Sequence, residues 1–300
     1  MDENFPEILK LQNLASLKVQ YSYQRPVEDL FSMERKTVLD IELPPELARF
    51  KSNIEATVKP YIKITAQVQE NLSLWQSKFA GVPYLPKNVQ YPRGPNGQAM
   101  FLLAQINFAE LAPLEPYPQT GILQFYIIGN DLYGLNFEDK TKQTSFRVLY
   151  FPQVTQDESG LVTNFDFLPD FDYLPLSESC ALSFERKSEP ISVDDYQFEA
   201  KVLGQDVPKS RDELYKIYDA YQELFPADGH KIGGYPYFTQ HDPRVQEKYQ
   251  DQGYVLLFQM DTDLESQIMW GDAGVANFFV QEENLRERDF SRILYSWDCG

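Results

Sequence analysis

Four short strings occur twice in this chain, in the same order, and they constrain its fold more than any other feature. Lys78-Phe-Ala-Gly-Val-Pro-Tyr-Leu85 matches Lys231-Ile-Gly-Gly-Tyr-Pro-Tyr-Phe238 at an offset of 153. Phe101-Leu-Leu-Ala-Gln-Ile-Asn-Phe108 matches Val255-Leu-Leu-Phe-Gln-Met-Asp-Thr262 at 154. Gly121-Ile-Leu-Gln-Phe-Tyr-Ile127 matches Gly274-Val-Ala-Asn-Phe-Phe-Val280 at 153, and Arg147-Val-Leu-Tyr150 matches Arg292-Ile-Leu-Tyr295 at 145. Near-constant spacing across four blocks points to one structural unit used twice. The units run from about 75 to 152 and from about 228 to 300.

Each unit reads as strands: apolar runs of four to seven residues, rich in Phe, Tyr, Val and Ile, bounded by Gly, Pro and Asn. Two helices are expected outside the blocks. One opens at Pro44-Pro45, carries Leu47, Phe50, Ile54 and Val58 on one face, and closes at Pro60. The other opens at the capping box Ser210-x-x-Glu213 and stops at Pro226. The expected fold class is α+β, predominantly antiparallel β-sheet: an internally duplicated β-rich unit with a few helices. The expected organisation is an N-terminal segment (1–42) without an assigned role, then a region (43–300) made of the first unit, an acidic insert with its helix (153–227), and the second unit.

Charge narrows the function classes. The chain carries 45 acids and 27 bases, a net of −18. That excess argues against nucleic acid and against anionic membrane surfaces, both of which need clustered Lys and Arg. The insert holds 16 acids and 6 bases, over half of the excess. The longest apolar run is six residues, Ala99–Ala104, far short of a membrane span. An acidic start and only two cysteines, Cys180 and Cys299, give the expectation of a cytoplasmic protein with reduced thiols. The sequence sets no oligomeric state.

No GxGxxG, Walker A, HExxH, GxSxG or EF-hand string is present. Three sets of residues remain as candidates. Gln105 and Gln259 interrupt apolar runs at equivalent positions. Strict alternation puts Gln105 and Asn107 on one face with Phe101 and Leu103, and Gln259 and Asp261 on the corresponding face with Val255 and Leu257. These faces could line a ligand cleft between the units, or the amides could bond to neighbouring backbone. Asp261, Asp263, Glu265 and Asp272 place four carboxylates within twelve residues. They could hold a divalent cation, the one cofactor the sequence allows for, or do acid–base work; loop acids of this kind are more often solvated or cap turns. Asp166, Asp170 and Asp172 alternate with aromatics in Phe165-Asp-Phe-Leu-Pro-Asp-Phe-Asp-Tyr173. A strand there would separate acids from rings and suit a basic protein partner. Gly233-Gly234-Tyr235-Pro236, with Ala80-Gly81-Val82-Pro83 as its counterpart, reads as a tight turn, with a cis bond before proline as one form.

The segments SKFAGVPYLP (77–86), LLAQINFAEL (102–111), HKIGGYPYFTQHDPR (230–244) and IMWGDAGVANFFV (268–280) make the chain resemble the bacterial YwqG-like family, whose function is unknown. The resemblance covers about 43–300. It departs from the pattern at Ala80, where a second glycine is expected. It implies a β-rich duplicated fold and no established catalytic residue, and some relatives are associated with toxin–immunity settings. The leading expectation is a non-catalytic module that binds a basic protein, such as an immunity protein or inhibitor. The alternatives are an enzyme using the second-unit carboxylates, and a small-ligand binder between the units.

Overall fold

The computed structural model of the protein describes residues 42–300; the N-terminal segment up to residue 41 lies outside the described residues. The strands are β1 (Lys59–Val68), β2 (Lys78–Phe79), β3 (Phe101–Asn107), β4 (Ile122–Ile127), β5 (Phe146–Phe151), β6 (Cys180–Glu189), β7 (His230–Gly233), β8 (Tyr254–Asp261), β9 (Val275–Gln281) and β10 (Ile293–Asp298). They form one ten-stranded antiparallel sheet in the order β10-β9-β8-β7-β1-β6-β2-β3-β4-β5. From the central β1–β6 pair outward, β7 to β10 run on one side in the order that β2 to β5 run on the other. β6 belongs to the acidic insert, so that segment supplies a central strand as well as surface.

Hydrogen bonds of the two sides correspond. Lys78 pairs with Gln105 as Lys231 pairs with Gln259. Gln105 pairs with Gln124 as Gln259 pairs with Asn277. Phe108 N donates to Gly121 O (2.9 Å), and Thr262 N to Gly274 O (3.2 Å). The register of the last strands differs from the string match. Val148 lies opposite Phe125 and Tyr295 opposite Phe278, an offset of 147, so Arg147 and Arg292 do not coincide. The slip is two residues, which leaves every side chain on its face.

The pairing also shifts between Leu102 and Ala104, and between Leu256 and Phe258. Each shift is a β-bulge at the extra residue, Leu103 or Leu257. It overturns the expected alternation. Leu103, Ala104 and Ile106 face the main core together with Phe101, whereas Leu102 packs outside with Met100 and Tyr126. Gln105 and Asn107 therefore lie on the outer face, opposite Phe101 and Leu103. Gln259 and Asp261 are displaced in the same way by the bulge in β8.

The sheet curls into a nearly closed barrel around aromatic rings from both sides. Phe125 lies 4.8 Å from Phe258 and 4.9 Å from Phe278, and Phe146 lies 5.2 Å from Tyr295. Pairs at such distances contribute about 0.5–1.5 kcal/mol each beyond the area they bury. The β4–β5 connection covers the outer edge of β10: Tyr295 N donates to Lys140 O (2.9 Å) and Trp297 Nε1 to Leu132 O (2.7 Å). That contact shields backbone groups that would otherwise template pairing with another chain.

A second core holds the helices. The expected single helix from Pro44 is two short ones, α1 (Pro45–Ala48) and α2 (Lys51–Ala56). Thr57 Oγ1 donates to Ile54 O (2.7 Å). Beyond it Tyr61, Ile62, Ile64 and Thr65 favour strand, so Val58 leaves the helix and Pro60 sits near the start of β1. Leu47, Phe50 and Ile54 pack with Ile191, Phe198 and Tyr221, the last from α3 (Arg211–Leu224). α3 follows Ser210 as expected, but the Ser210 side chain makes no capping bond.

Candidate functional site

The two glutamines close the outer face of the sheet over backbone. Gln105 Oε1 accepts from Tyr84 N (2.8 Å) and Gln124 Nε2 (2.7 Å), and its Nε2 donates to the carbonyls of Leu74 and Gln76 (both 2.8 Å). Gln259 Oε1 accepts from Tyr237 N (2.8 Å), and its Nε2 donates to Ala227 O (3.0 Å) and Gly229 O (2.8 Å). Both amides are fully buried and hold the turn that follows β2 or β7. In those turns Ala80 (φ 53°) and Gly81 (φ 75°) take the left-handed conformation of Gly233 (φ 72°) and Gly234 (φ 68°). The alanine thus keeps the shape that glycine was expected to provide. At Gly234 a Cβ would collide with the Glu189 carboxylate, so only glycine admits that approach. Among the described residues the cis peptide bond is Glu115–Pro116, so the bonds before Pro83 and Pro236 are trans.

Each turn also receives a buried lysine, a feature the string match contained but charge-based reading passed over. Lys78 Nζ donates to Ser73 O (2.6 Å) and Val82 O (2.9 Å). Lys231 Nζ donates to Tyr235 O (3.2 Å) and binds both Glu189 oxygens (2.9 and 3.2 Å). Burial pulls Lys78 down to about 8. It also lowers Lys231, while the Glu189 carboxylate opposes that shift.

Below the turns the two sides diverge. In the first, Asn107 N donates to Ser77 Oγ (2.9 Å) and Asn107 Nδ2 to Trp75 O (3.0 Å). In the second, Asp261 N donates to His230 Nδ1 (3.0 Å), and the Asp261 carboxylate accepts from Gly229 N (2.7 Å) and Thr262 N (2.8 Å). An accepting Nδ1 leaves the neutral ring's proton on Nε2, which lies 3.5 Å from Asp263 Oδ2. That imidazole holds the Asp263 carboxyl well below the usual carboxylate range, whereas burial pushes Asp261 up. A cavity of about 390 Å³ opens here, with Lys63, Lys187 and Asp228 at its rim.

The structure thus brings Asp261 and Asp263 together around His230, a residue the sequence argument did not place with them. Ser77 at the corresponding position was the available signal. Glu265 and Asp272 are exposed and do not line this cavity. Asp263 Oδ1 accepts from Glu265 N (3.0 Å) and Ser266 N (3.3 Å), a turn-capping role. Among the described residues, no group of three or more His, Cys, Asp or Glu side chains is placed to hold a metal ion.

His241 is exposed, while its neighbours Asp242 and Arg244 are buried elsewhere. Arg244 Nε and Nη2 donate to the two Asp242 oxygens (2.9 and 2.6 Å), Nη2 to Asp195 Oδ2 (2.8 Å), and Nη1 to Tyr254 O (3.2 Å).

The acidic, aromatic stretch from Phe165 to Tyr173 is not a strand. Its rings divide instead. Phe165 and Phe167 meet Tyr91 at 6.4 and 5.3 Å, and Phe171 lies 5.4 Å from Phe101. Phe165 is buried by these contacts, but Phe167 stays 47% exposed and Tyr173 69%. Asp166, Asp170 and Asp172 all face solvent. Pro169 interrupts the stretch and Pro175 follows it, and Pro175 O accepts from Met269 N (2.7 Å), which ties it to the second-side loop carrying Leu264 and Glu265. Between the two segments runs a groove of about 560 Å³ lined by Asp170, Phe171, Leu174, Gln267 and Met269. On its far bank Met269 is 39% exposed.

No described helix is long and apolar enough to cross a membrane. A comparison with curated proteins found no match. A family model described as "Domain of unknown function (DUF1963)" matches residues 77–299, nearly three quarters of the chain, and this protein belongs to that family.

Proposed function

We propose that this protein is a non-catalytic binding module for a basic protein segment, with the exposed rings and acids of residues 166–173, beside the groove lined by Asp170, Phe171, Gln267 and Met269, as its docking surface. One observation carries the reading: in a stretch whose other rings are packed away, Phe167 and Tyr173 stay exposed among Asp166, Asp170 and Asp172. Single exposed rings also occur at Phe137 (67%) and Tyr215 (58%); here two lie in one short stretch with three acids. Aromatic anchors beside unpaired carboxylates suit a partner that presents apolar side chains flanked by Lys or Arg. An immunity protein or inhibitor, acting on a basic toxin or enzyme, is the form of module this favours.

The same reading takes the scaffold as one unit occurring twice, within the YwqG-like part of the family. Matching bulges at Leu103 and Leu257, and matching glutamine clamps, support duplication. The groove joins the insert to the second unit, so binding would be a property added to the repeated frame. The free Cys180 and Cys299 fit a reducing, cytoplasmic setting.

The aromatic anchors supply the test. A partner isolated with the full chain should dissociate faster from F167A and Y173A, by roughly tenfold for each, the effect of losing an interface anchor of about 1–2 kcal/mol. Tyr173 is 69% exposed, so Y173A should leave the melting temperature within a degree or two, whereas F167A also loses the Tyr91 contact and should lower it by more. Unchanged dissociation from the double variant would remove these two rings from the interface.

A further inference from the structure

A second cavity, of about 400 Å³, lies away from the groove and is lined by residues from both sides of the sheet and from the insert. Its inner wall is the Arg244 cluster. Arg244 is saturated by Asp195, Asp242 and the Tyr254 carbonyl, and has little left to offer a ligand. Lys59 differs. Its Nζ stands 3.7 Å above the Tyr235 ring, opens on the cavity, and forms no hydrogen bond or ion pair among the described residues. Burial lowers it to about 8, so at neutral pH it remains mostly a cation.

Charges around this cavity balance in a way that favours one kind of guest. The half-buried Lys59 and the buried cations Lys231 and Arg244 match the buried carboxylates Glu189, Asp195 and Asp242. That leaves Lys201 in excess beside Lys59. Glu115 and Glu282 also line the cavity and are exposed; Glu282 pairs with Arg286 and Glu115 accepts from Gln119 Nε2 (2.8 Å), and each keeps a second carboxylate oxygen. The lining thus carries both signs of charge, with Pro60, Tyr196, Tyr235 and Val255 supplying apolar wall. Pockets of this size with an apolar lining and a few convergent polar groups are ordinary small-molecule sites.

We infer that this cavity binds a small zwitterion, an amino acid or dipeptide with an apolar side chain. Its carboxylate lies against Lys59 and Lys201, its ammonium against Glu115 and Glu282, and its side chain against the aromatic and proline wall. The site is independent of the groove, and either can fail without the other.

Titration calorimetry on the full chain distinguishes the outcomes with three probes: L-phenylalanine, 3-phenylpropionate, which lacks the ammonium, and phenethylamine, which lacks the carboxylate. L-Phenylalanine should bind saturably, and each truncated probe at least about tenfold more weakly, the loss expected from one charge-assisted hydrogen bond. Lys59→Met should weaken L-phenylalanine by a similar factor. Lys201→Ala, a change at an exposed side chain that leaves the core intact, should weaken it too, which keeps the test valid if the Lys59 variant folds poorly. Equal affinity for all three probes, no heat with any of them, or undiminished binding by Lys201→Ala together with a folded Lys59→Met would overturn the assignment.

Discussion

Replacing Arg244 with Met should lower stability by about 3–5 kcal/mol, the range for removing one partner of a buried ionic cluster. The residue is 5% exposed, and among the described residues its guanidinium is the sole cation bonded to Asp195 and Asp242, themselves 5% and 3% exposed. Without it, two carboxylates are left in a low-dielectric wall and must either stay charged without compensation or take up protons. Adding Asp195→Asn and Asp242→Asn to Arg244→Met should recover part of the loss. Urea unfolding of the four variants, read as midpoint and slope, separates this from simple loss of packing over Phe279 and Tyr196, which the added changes would not recover.

The two buried lysines allow a comparison at matched positions. Lys231→Met leaves Glu189 buried, with its remaining bond from Tyr235 N (2.6 Å), and should cost about 3–5 kcal/mol. Lys78 has only carbonyl acceptors, so Lys78→Met leaves two unpaired carbonyls but no buried charge. That change should cost less by about 2 kcal/mol, since a desolvated neutral acceptor is the smaller penalty. Equal losses would mean that the Glu189 carboxylate finds compensation elsewhere, with Lys59 the nearest cation to supply it.

These charged clusters show where reading the sequence succeeds and where it stops. The order of the strands on each side was legible because the strings repeat with their turn residues, and turn chemistry is local. The bulges were not: Leu103 and Leu257 look like any other residue in an apolar run, and the extra residue shows only when two neighbouring strands are paired. One unseen residue was enough to put Gln105 and Gln259 on the wrong face. β1 and β6 lie outside the repeated strings, so the centre of the sheet was missed although its edges were found. Their pairing joins residues more than a hundred positions apart, a relation no local pattern carries.

Among the candidate residues, Asp261 and Asp263 were picked for their charge, but their partner His230 is 31 positions away from Asp261 and meets it only through β7 and β8. Glu265 and Asp272 were included for proximity in the chain, and folding separates them from that cavity. For the insert, alternation of acid and ring suggested a strand, but Pro169 has no N–H for a ladder, and the stretch is held by ring packing on Tyr91 and Phe101 instead. The acids still reach solvent, for a reason other than strand alternation.

The most direct measurement of the docking claim is the association rate of an isolated basic partner as a function of salt, for the full chain and for D166N/D170N/D172N. Steering by these acids requires the rate to fall as the Debye length shortens from about 10 Å at 0.1 M to 3 Å at 1 M. The triple variant should associate roughly tenfold more slowly at low salt, with a flatter salt dependence and an unchanged melting temperature. A triple variant that bound the same partner at the same rate at low salt would contradict the account and take the acidic stretch off the binding surface.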